Sequence, residues 1–325
     1  MGTIGSAITA GLNSPVMLAA PPWANPSLFG EQIVAGLATG GIYALVALAI
    51  VLIYRSTNVI NFAQGEMAMF ATFITWSIAG PTAFDRFPLW LVYVVGVLIA
   101  GVMGAVIERV IIRPVENAPV LSVVVVTLGL FVVFNSLATS TWGGEPKPFP
   151  SPLSITEGLN LGFARLSWHR VGVLFTAFGV MGALFLLFNY TKIGLAMRAT
   201  TLNPLAARLM GINVGRMLTL GWALSGAVGG LAGLLIAPIT TIHPSFMLAV
   251  LLFAFAAAVL GGLNSPPGAV VGGFLIGVTE KLLGTYTPEQ WLGPEMKLPL
   301  TLLLLVLVLL IRPTGLFGQA AVRRV

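Results

Sequence analysis

The chain has 325 residues, of which 57% are apolar and only 8% charged, and its net charge is +6. A soluble domain carries roughly a quarter charged residues, so this composition excludes a water-soluble enzyme and a disordered chain. The absence of cysteine excludes disulfide and zinc-thiolate sites. We therefore predict one polytopic membrane unit, and the positive charge indicates membrane topology rather than nucleic-acid binding.

Nine apolar segments are candidates for membrane spans, since crossing roughly 30 Å of hydrocarbon takes about 20 apolar residues. They are 31–53, 58–80, 88–112, 119–139, 171–190, 218–238, 245–263, 267–284 and 297–312. The segments 58–80 and 267–284 are the least regular, because one holds several polar residues and the other follows two prolines. Each fits either a full crossing or a broken, re-entrant segment. We predict an all-α transmembrane helix bundle of eight or nine spans.

Basic residues predict which side of the membrane each end occupies. If all nine segments cross, ten Lys and Arg fall on one side and six on the other. The excess marks the first side as cytoplasmic, with the C-terminus inside and the N-terminus outside. The flanking regions are then a poorly ordered N-terminal tail (1–30), an external proline-rich loop (140–170), a basic cytosolic loop (190–217) and a cytosolic C-terminal tail (319–325). The external loop fits either a docking surface or a simple cap.

Glycine and arginine patterns add two hints about packing. GxxxG pairs such as Gly36/Gly40 and Gly273/Gly277 predict close helix–helix approach in the membrane. The third and ninth segments both end in Ile-Arg-Pro, at 112–114 and 311–313. Internal repeats are common in transporters, so this echo suggests two related halves.

Motifs for catalysis are missing from the sequence. There is no GxxxxGK[ST], GxSxG or HExxH, so the chain has no P-loop with which to bind ATP by itself. The two histidines, His169 and His243, are 74 positions apart and have no metal-site spacing. We expect no catalytic activity, no metal and no cofactor bound by this chain.

The sharpest polar feature is the run Asn58-Val59-Ile60-Asn61-Phe62-Ala63-Gln64-Gly65-Glu66. We expect Glu66 about two helical turns inside the second span, where an acid costs roughly 2.5–3.5 kcal/mol and therefore faces protein or water. Gly65 permits a helix break or a close backbone approach. Two compatible interpretations follow. Asn61, Gln64, Gly65 and Glu66 line a translocation path, or Glu66 anchors a helix break.

The second feature is a short helix predicted in the cytosolic loop. Asn203 is a good N-cap and Pro204 a natural first helical residue, while Gly211 suits the position that ends a helix. Leu205 and Leu209 are four apart and share a face, and Arg208 points elsewhere. A helix this short is not stable alone, so it needs the bundle or a partner protein. The alternative is a connector on the membrane surface.

The chain resembles the permease subunits of branched-chain amino-acid ABC transporters, the LivH/LivM type, from about residue 31 to 318. Four blocks carry the resemblance: Gly40 to Leu45 with Leu52-Ile53-Tyr54; Ile60 to Glu66; Arg198 to Val214; and Ala258 to Gly262 through Gly268, Gly272 and Gly273. The resemblance implies an ABC importer permease fold in a prokaryotic plasma (inner) membrane. It also implies import of branched-chain or related small amino acids.

The resemblance also implies partners. They are a second permease, identical or different, two ATP-binding subunits that use ATP and Mg²⁺, and an external substrate-binding protein. The basic loop then looks like the coupling helix that the ATP-binding subunit receives, with the residues Arg198, Asn203, Pro204, Leu205, Arg208, Leu209 and Gly211.

Two positions depart from the family pattern. The family usually has His where this chain has Gln64, and an acidic residue or two before the short helix, where this chain has Leu202-Asn203. The first departure leaves urea, amides or other small organic solutes open as substrates. A stand-alone secondary transporter or an intramembrane enzyme is the remaining alternative. It is disfavoured because Glu66 is the one acid predicted deep in a span.

Overall fold

A computed structural model describes residues 26–57, 59–83, 88–116, 118–160, 164–286, 296–312 and 315–318. The N-terminal tail predicted over 1–30 is too long, because the first helix already begins at Pro26. Residues 1–25 and the predicted C-terminal tail, 319–325, lie outside the described residues.

Helices match all nine predicted segments. In chain order they are α1 (Pro26–Thr57), α2 (Gln64–Ala83), α3 (Leu89–Ile107), α4 (Val120–Trp142), α5 (Trp168–Tyr190), α6 (Lys192–Leu202), α7 (Pro204–Leu209), α8 (Val214–Thr240), α9 (Leu248–Gly261), α10 (Pro266–Tyr286) and α11 (Lys297–Ile311). A π-helical turn, Glu108–Ile112, and a 3₁₀ turn, Arg113–Val115, extend α3. The segment 140–170, predicted as an external loop, departs from the all-α prediction, because strands β1 (Gly158–Asn160) and β2 (Arg165–Ser167) pair there as an antiparallel hairpin.

Six helices in the described part of the chain are long and apolar enough to cross a membrane. They are α1, α3 with its extension to Val115, α4, α5, α8 and α10. The helices α9 and α11 are apolar but shorter, and α2 is interrupted by a kink at Gly80. The chain is therefore a multi-pass, predominantly helical membrane protein.

The irregular segments have different outcomes. The segment 58–80 is broken, because residues 59–63 are not helical and α2 begins only at Gln64. The segment 267–284 is a continuous helix, α10, which follows a turn at Gly262 with a φ of +101°.

The most extensive helix packing among the described residues lies between α1 and α10, and it is close, as the GxxxG pairs predict. A Cβ on Gly36 would stand 2.6 Å from the Cα of Val278, and one on Gly40 would stand 2.8 Å from the Cα of Phe274. The contacting residue numbers increase along α1 while they decrease along α10, so the two helices are antiparallel. Glycine is required here because the backbones touch.

The helix pairings are reciprocal between the two ends of the chain. The contact of α1 with α10 corresponds to that of α8 with α3. The contact of α2 with α8 corresponds to that of α9 with α1. The contact of α2 with α4 corresponds to that of α9 with α11. This is the pattern expected of two related units, α1–α4 and α8–α11. Both α2 and α9 begin after a non-helical segment, 59–63 and 241–247. Their first turns meet where Gly65 faces Leu251.

The core centres on α1, which is buried without a break from Gly40 to Ile53. By contrast, α4 and α5 expose many large apolar side chains, including Val132, Val133, Phe175 and Phe178. Apolar faces of this kind suit lipid or another membrane subunit.

Candidate functional site

The backbone break before α2 is fixed by Asn61. Its side-chain Oδ1 accepts a hydrogen bond from the backbone N–H of Ala63 at 3.0 Å, which holds the chain in a turn. The helix therefore starts at Gln64, and Glu66 lies in its first turn. Our prediction that Glu66 stands two turns inside a helix is wrong. It assumed that the apolar pattern is helical throughout, whereas Asn61 diverts the backbone hydrogen bonds.

Asn61 and Gln64 form a closed polar cluster with Ser225 of α8. The Asn61 Nδ2 donates to Gln64 Oε1 at 3.2 Å, and the Gln64 Nε2 donates to the backbone oxygen of Ser225 at 3.3 Å. The Ser225 hydroxyl lies 2.8 Å from the backbone oxygen of Ala49 in α1. All three side chains are fully buried. This Asn61–Gln64–Ser225 cluster ties the break to α1 and α8.

The room for Gln64 comes from a missing side chain on α8. A Cβ at Gly229 would collide with the Gln64 Nε2. Gly229 is thus needed for close approach and not for an unusual backbone angle.

Glu66 points away from this cluster, toward α4. Its Oε2 accepts from the Nδ2 of Asn135 at 3.4 Å, and the same nitrogen donates to the backbone oxygen of Pro244 at 2.8 Å. Glu66 is only 1% exposed, whereas Asn135 is half-buried on a helix whose outer face is open. Glu66 and Asn135 therefore form a polar pair that leads from the interior toward α4.

The four residues predicted as a substrate path divide into two groups. Asn61 and Gln64 belong to the closed cluster, while Glu66 joins Asn135, and Gly65 between them packs against Leu251. Sequence reasoning missed Ser225, Asn135 and the Pro244 carbonyl. Asn135 was detectable as an amide inside an apolar span, whereas Ser225 stands in a Gly- and Ala-rich run with no distinguishing pattern.

The short helix of the basic loop is present as α7, with both predicted ends. The Asn203 Oδ1 accepts from the Ala206 N–H at 3.0 Å, and Pro204 is the first helical residue. Gly211 has a φ of +80°, and the N–H of Ile212 donates to the Ala207 oxygen at 3.0 Å. The bond that closes this last turn is that of a glycine-terminated helix.

The surface of α7 is almost entirely uncovered. Leu205 is 69% and Leu209 82% exposed, while Ala207, at 2%, is the buried contact. A cavity of about 180 Å³, lined in part by Glu108, Pro204 and Trp222, lies beside the helix. The helix thus presents two leucines to whatever covers this end of the bundle.

Arg198 is not part of this short helix. It lies on α6, and it lines a groove with Arg55 from the end of α1. The Nε of Arg198 is buried without a hydrogen-bond partner. The structure therefore separates Arg198 from Leu205 and Leu209, which sequence reasoning grouped together.

An ion pair between the buried Glu108 and the partly exposed Arg113 lies at the same end of the bundle. Arg113 Nε and Nη2 reach the two carboxylate oxygens of Glu108 at 3.1 and 3.0 Å. Arg113 Nη2 also donates to the Gly215 oxygen at 2.8 Å, and the Thr219 hydroxyl donates to Glu108 at 2.7 Å. This ion pair joins the end of α3 to the start of α8.

No group of three or more His, Asp or Glu side chains that could hold a metal ion occurs within the ranges that the structure describes. The polar features of the site are amides, hydroxyls and isolated carboxylates. They can bind and orient a polar solute, but they contain no pair of nucleophile and base.

Comparison with known proteins decides the family. Residues 32–309 match the family described as branched-chain amino acid transport system / permease component. The chain belongs to this permease family. The resemblance stated from the sequence is confirmed.

Individual relatives cover nearly the whole chain. The permease protein LivH of Salmonella typhimurium, described as part of a high-affinity branched-chain amino acid transport system, is 31% identical over 306 residues. The match spans 91% of this chain and 98% of LivH. BraD of Pseudomonas aeruginosa, described in the same terms, is 28% identical over 91% of this chain and 97% of its own. A probable LivH of Methanocaldococcus jannaschii is 30% identical over 84% and 88%.

One solved chain also matches. It is described as PsaBC from Streptococcus pneumoniae in complex with Fab. The match covers 88% of this chain and 92% of that one, with a TM-score of 0.45 and 14% identity. This structural similarity is low, and the family assignment is based on the sequence relatives.

Proposed function

We propose that this chain is the non-catalytic membrane subunit of an ATP-driven importer for branched-chain or related small amino acids. The family and the printed names of LivH and BraD support the substrate class. The partners in this proposal are a second permease, two ATP-binding subunits that use ATP and Mg²⁺, and an external binding protein.

The observation that carries the proposal is the surface of α7. Leu205 and Leu209 are exposed on a helix that is capped at both ends and held to the bundle through Ala207. Two exposed leucines on an ordered helix favour an apolar groove in a partner, where burying each contributes roughly 1.5–3 kcal/mol. The proposed partner is the ATP-binding subunit.

The test replaces both leucines with Asp in the complete importer. The Leu205→Asp/Leu209→Asp variant should lose co-purification of the ATP-binding subunit or lose substrate-stimulated ATP hydrolysis, while the permease stays folded. The matched control is Leu159→Asp, which adds a charge at an exposed leucine of β1. Unchanged recovery and unchanged stimulation in the double variant would mean that α7 is only a connector.

For the substrate path we propose the pair Glu66–Asn135 rather than the whole predicted set. The amide of Gln64 already bonds to Asn61 and Ser225, which supports a packing role for the glutamine that replaces the family's usual histidine. Glu66→Ala should abolish uptake of radiolabelled leucine while the complex assembles and hydrolyses ATP. Normal uptake by a normally expressed Glu66→Ala variant would contradict this path.

We further propose nine crossings with the C-terminus in the cytoplasm, in a prokaryotic inner membrane. The pairing of loops supports the crossings by α4, α5 and α8 within this count. Lys147 pairs with Ile242 at one end of the bundle, and Arg113 contacts Gly215 at the other. The chain contains no cysteine, so single cysteines at Arg208 and Ser151 can be labelled without background. Both sites reacting from the same side would contradict the topology.

A further inference from the structure

A cavity of about 280 Å³ lies between α1, α5, α10 and strand β2, at the end of the bundle opposite α7. Nothing in the proposed transport function uses it. Its lining includes Glu31, Ile42, Arg165, Arg170, Val173 and Lys281. We call this space the α1–α5–α10 cavity.

The base of the cavity is apolar and fixed. Ala38, Ile42 and Val173 are 3%, 1% and 2% exposed, and they belong to packed helices. His169 stands at the edge of this base, but both its ring nitrogens are engaged, with Ser151 Oγ at 2.7 Å and the Leu235 oxygen at 3.0 Å. The apolar surface open to a ligand comes mainly from Ile239 and Ile155, which are 52% and 44% exposed and also line the cavity, and the histidine offers no free polar group.

The rim of the cavity is cationic. Arg165, Arg170 and Lys281 line it against one acid, Glu31. Within the part of the chain that the structure describes, the side chains of Arg165 and Arg170 make no ion pair and no hydrogen bond. Lys281 approaches Glu280 at 3.4 Å. Two guanidinium groups are thus available to an anion at the mouth of the cavity.

The cavity runs along the helices rather than across them. Glu31 and Ile42 are eleven positions apart on α1, or roughly 16 Å at 1.5 Å per residue. Trp168, which is 46% exposed, starts α5 beside the rim. Tryptophan is enriched where a membrane meets water, so the charged rim lies at headgroup level and the apolar base lies deeper.

We propose that the α1–α5–α10 cavity binds one glycerophospholipid. The phosphate is held by Arg165 and Arg170, and the beginning of an acyl chain lies along Ile239, above the base that Ala38, Ile42 and Val173 form. Basic pockets between transmembrane helices recognise lipid headgroups in this way. Glu31 adds a partner for the ammonium of an ethanolamine headgroup. It therefore favours phosphatidylethanolamine over phosphatidylglycerol.

The test is native mass spectrometry of the purified full-length chain titrated with phosphatidylethanolamine. The Arg165→Gln/Arg170→Gln variant should bind the first lipid at least about tenfold more weakly, because it removes the charged hydrogen-bond donors to the phosphate. The matched control is Arg109→Gln/Arg216→Gln, which removes two exposed arginines at the other end of the bundle. Equal weakening in both variants, or in neither, would overturn the proposal.

Two further arms identify the ligand. Inorganic phosphate alone should not displace the bound lipid, because it has no group for the apolar base. Displacement at millimolar phosphate would show a simple anion site and overturn the proposal of a bound lipid.

Glu31→Gln should remove the preference for phosphatidylethanolamine while leaving phosphatidylglycerol binding intact. An unchanged preference would overturn the role of Glu31. None of these outcomes depends on transport, so the proposal can fail while the importer function stands.

Discussion

The side-chain nitrogen of Asn135 lies 3.4 Å from the Glu66 carboxylate and 2.8 Å from the carbonyl oxygen of Pro244. One amide therefore joins the first turn of α2, the middle of α4 and the non-helical segment before α9. Because α2 and α9 both begin at this level, a displacement of α4 would alter the surroundings of Glu66 directly.

Replacing Asn135 tests this connection. Asn135→Ala leaves the buried Glu66 and the Pro244 carbonyl without their donor, which costs about 1–3 kcal/mol for such a group. We expect leucine uptake to fall at least several-fold at an unchanged membrane level, measured by radiolabelled uptake and immunoblot. Asn135→Asp should be worse, because it places a second carboxyl group beside Glu66.

A matched change elsewhere controls for the loss of an amide. Asn189→Ala removes an exposed asparagine near the end of α5, whose side chain donates to the Phe185 carbonyl of its own helix. It should leave uptake unchanged. If Asn135→Ala also transports normally, the Glu66–Asn135 pair is not part of the substrate path.

Features set by local chemistry were predictable from the sequence. The ends of α7 follow from Asn203 and Gly211, because a side-chain cap and a left-handed glycine act within a few residues of their own positions. The spacing of Gly36 and Gly40 likewise predicted close packing. The helix that meets them, α10, is known only from the structure.

Features set by distant contacts were not predictable. The contact of the Gln64 side chain with Ser225, 161 positions away in the chain, was not predictable, because a hydropathy pattern cannot show it. The break itself was one of two options for segment 58–80; the bond from Ala63 to Asn61 decides it and leaves Glu66 in the first turn of the helix. The separation of Arg198 from Leu209 has a similar cause. The predicted loop forms a second helix, α6, whose Arg198 shares a groove with Arg55.

The second prediction concerns the contact between α1 and α10. Gly40→Ala would place its Cβ 2.8 Å from the Phe274 Cα, so the two backbones must separate. We expect a loss of about 1–3 kcal/mol in stability, typical of overpacking, seen as a lower melting temperature in detergent. Gly179→Ala is the control, because nothing lies within 4 Å of its added Cβ. Similar melting temperatures for the two variants would refute close packing at Gly40.

The third prediction concerns the end of α7. Gly211 has a φ of +80°, a conformation that costs most residues with a side chain roughly 1–2 kcal/mol. Gly211→Val should therefore weaken binding of the ATP-binding subunit, though less than the double leucine change. Gly211→Asn should retain it, because asparagine tolerates the left-handed region. Co-purification measures both, and equal recovery for Val and Asn would show that the backbone at Gly211 does not matter for docking.

The fourth prediction concerns the ion pair between the buried Glu108 and Arg113 at the end of α3. The Glu108 side chain is 2% exposed and bonds to Arg113 and Thr219. Arg113→Ala leaves that charge buried without its cation, so we expect about 3–5 kcal/mol of destabilisation. Removing both charges in Glu108→Leu/Arg113→Leu should cost less than Arg113→Ala, since no unpaired charge stays buried.

Arg109→Ala, at an exposed arginine in the same turn, should change stability by less than about 0.5 kcal/mol. Thermal unfolding of the four proteins in detergent measures the differences. If the double variant is as unstable as Arg113→Ala, side-chain packing and not charge compensation accounts for the loss of stability, and the ion pair has no special role in joining α3 to α8.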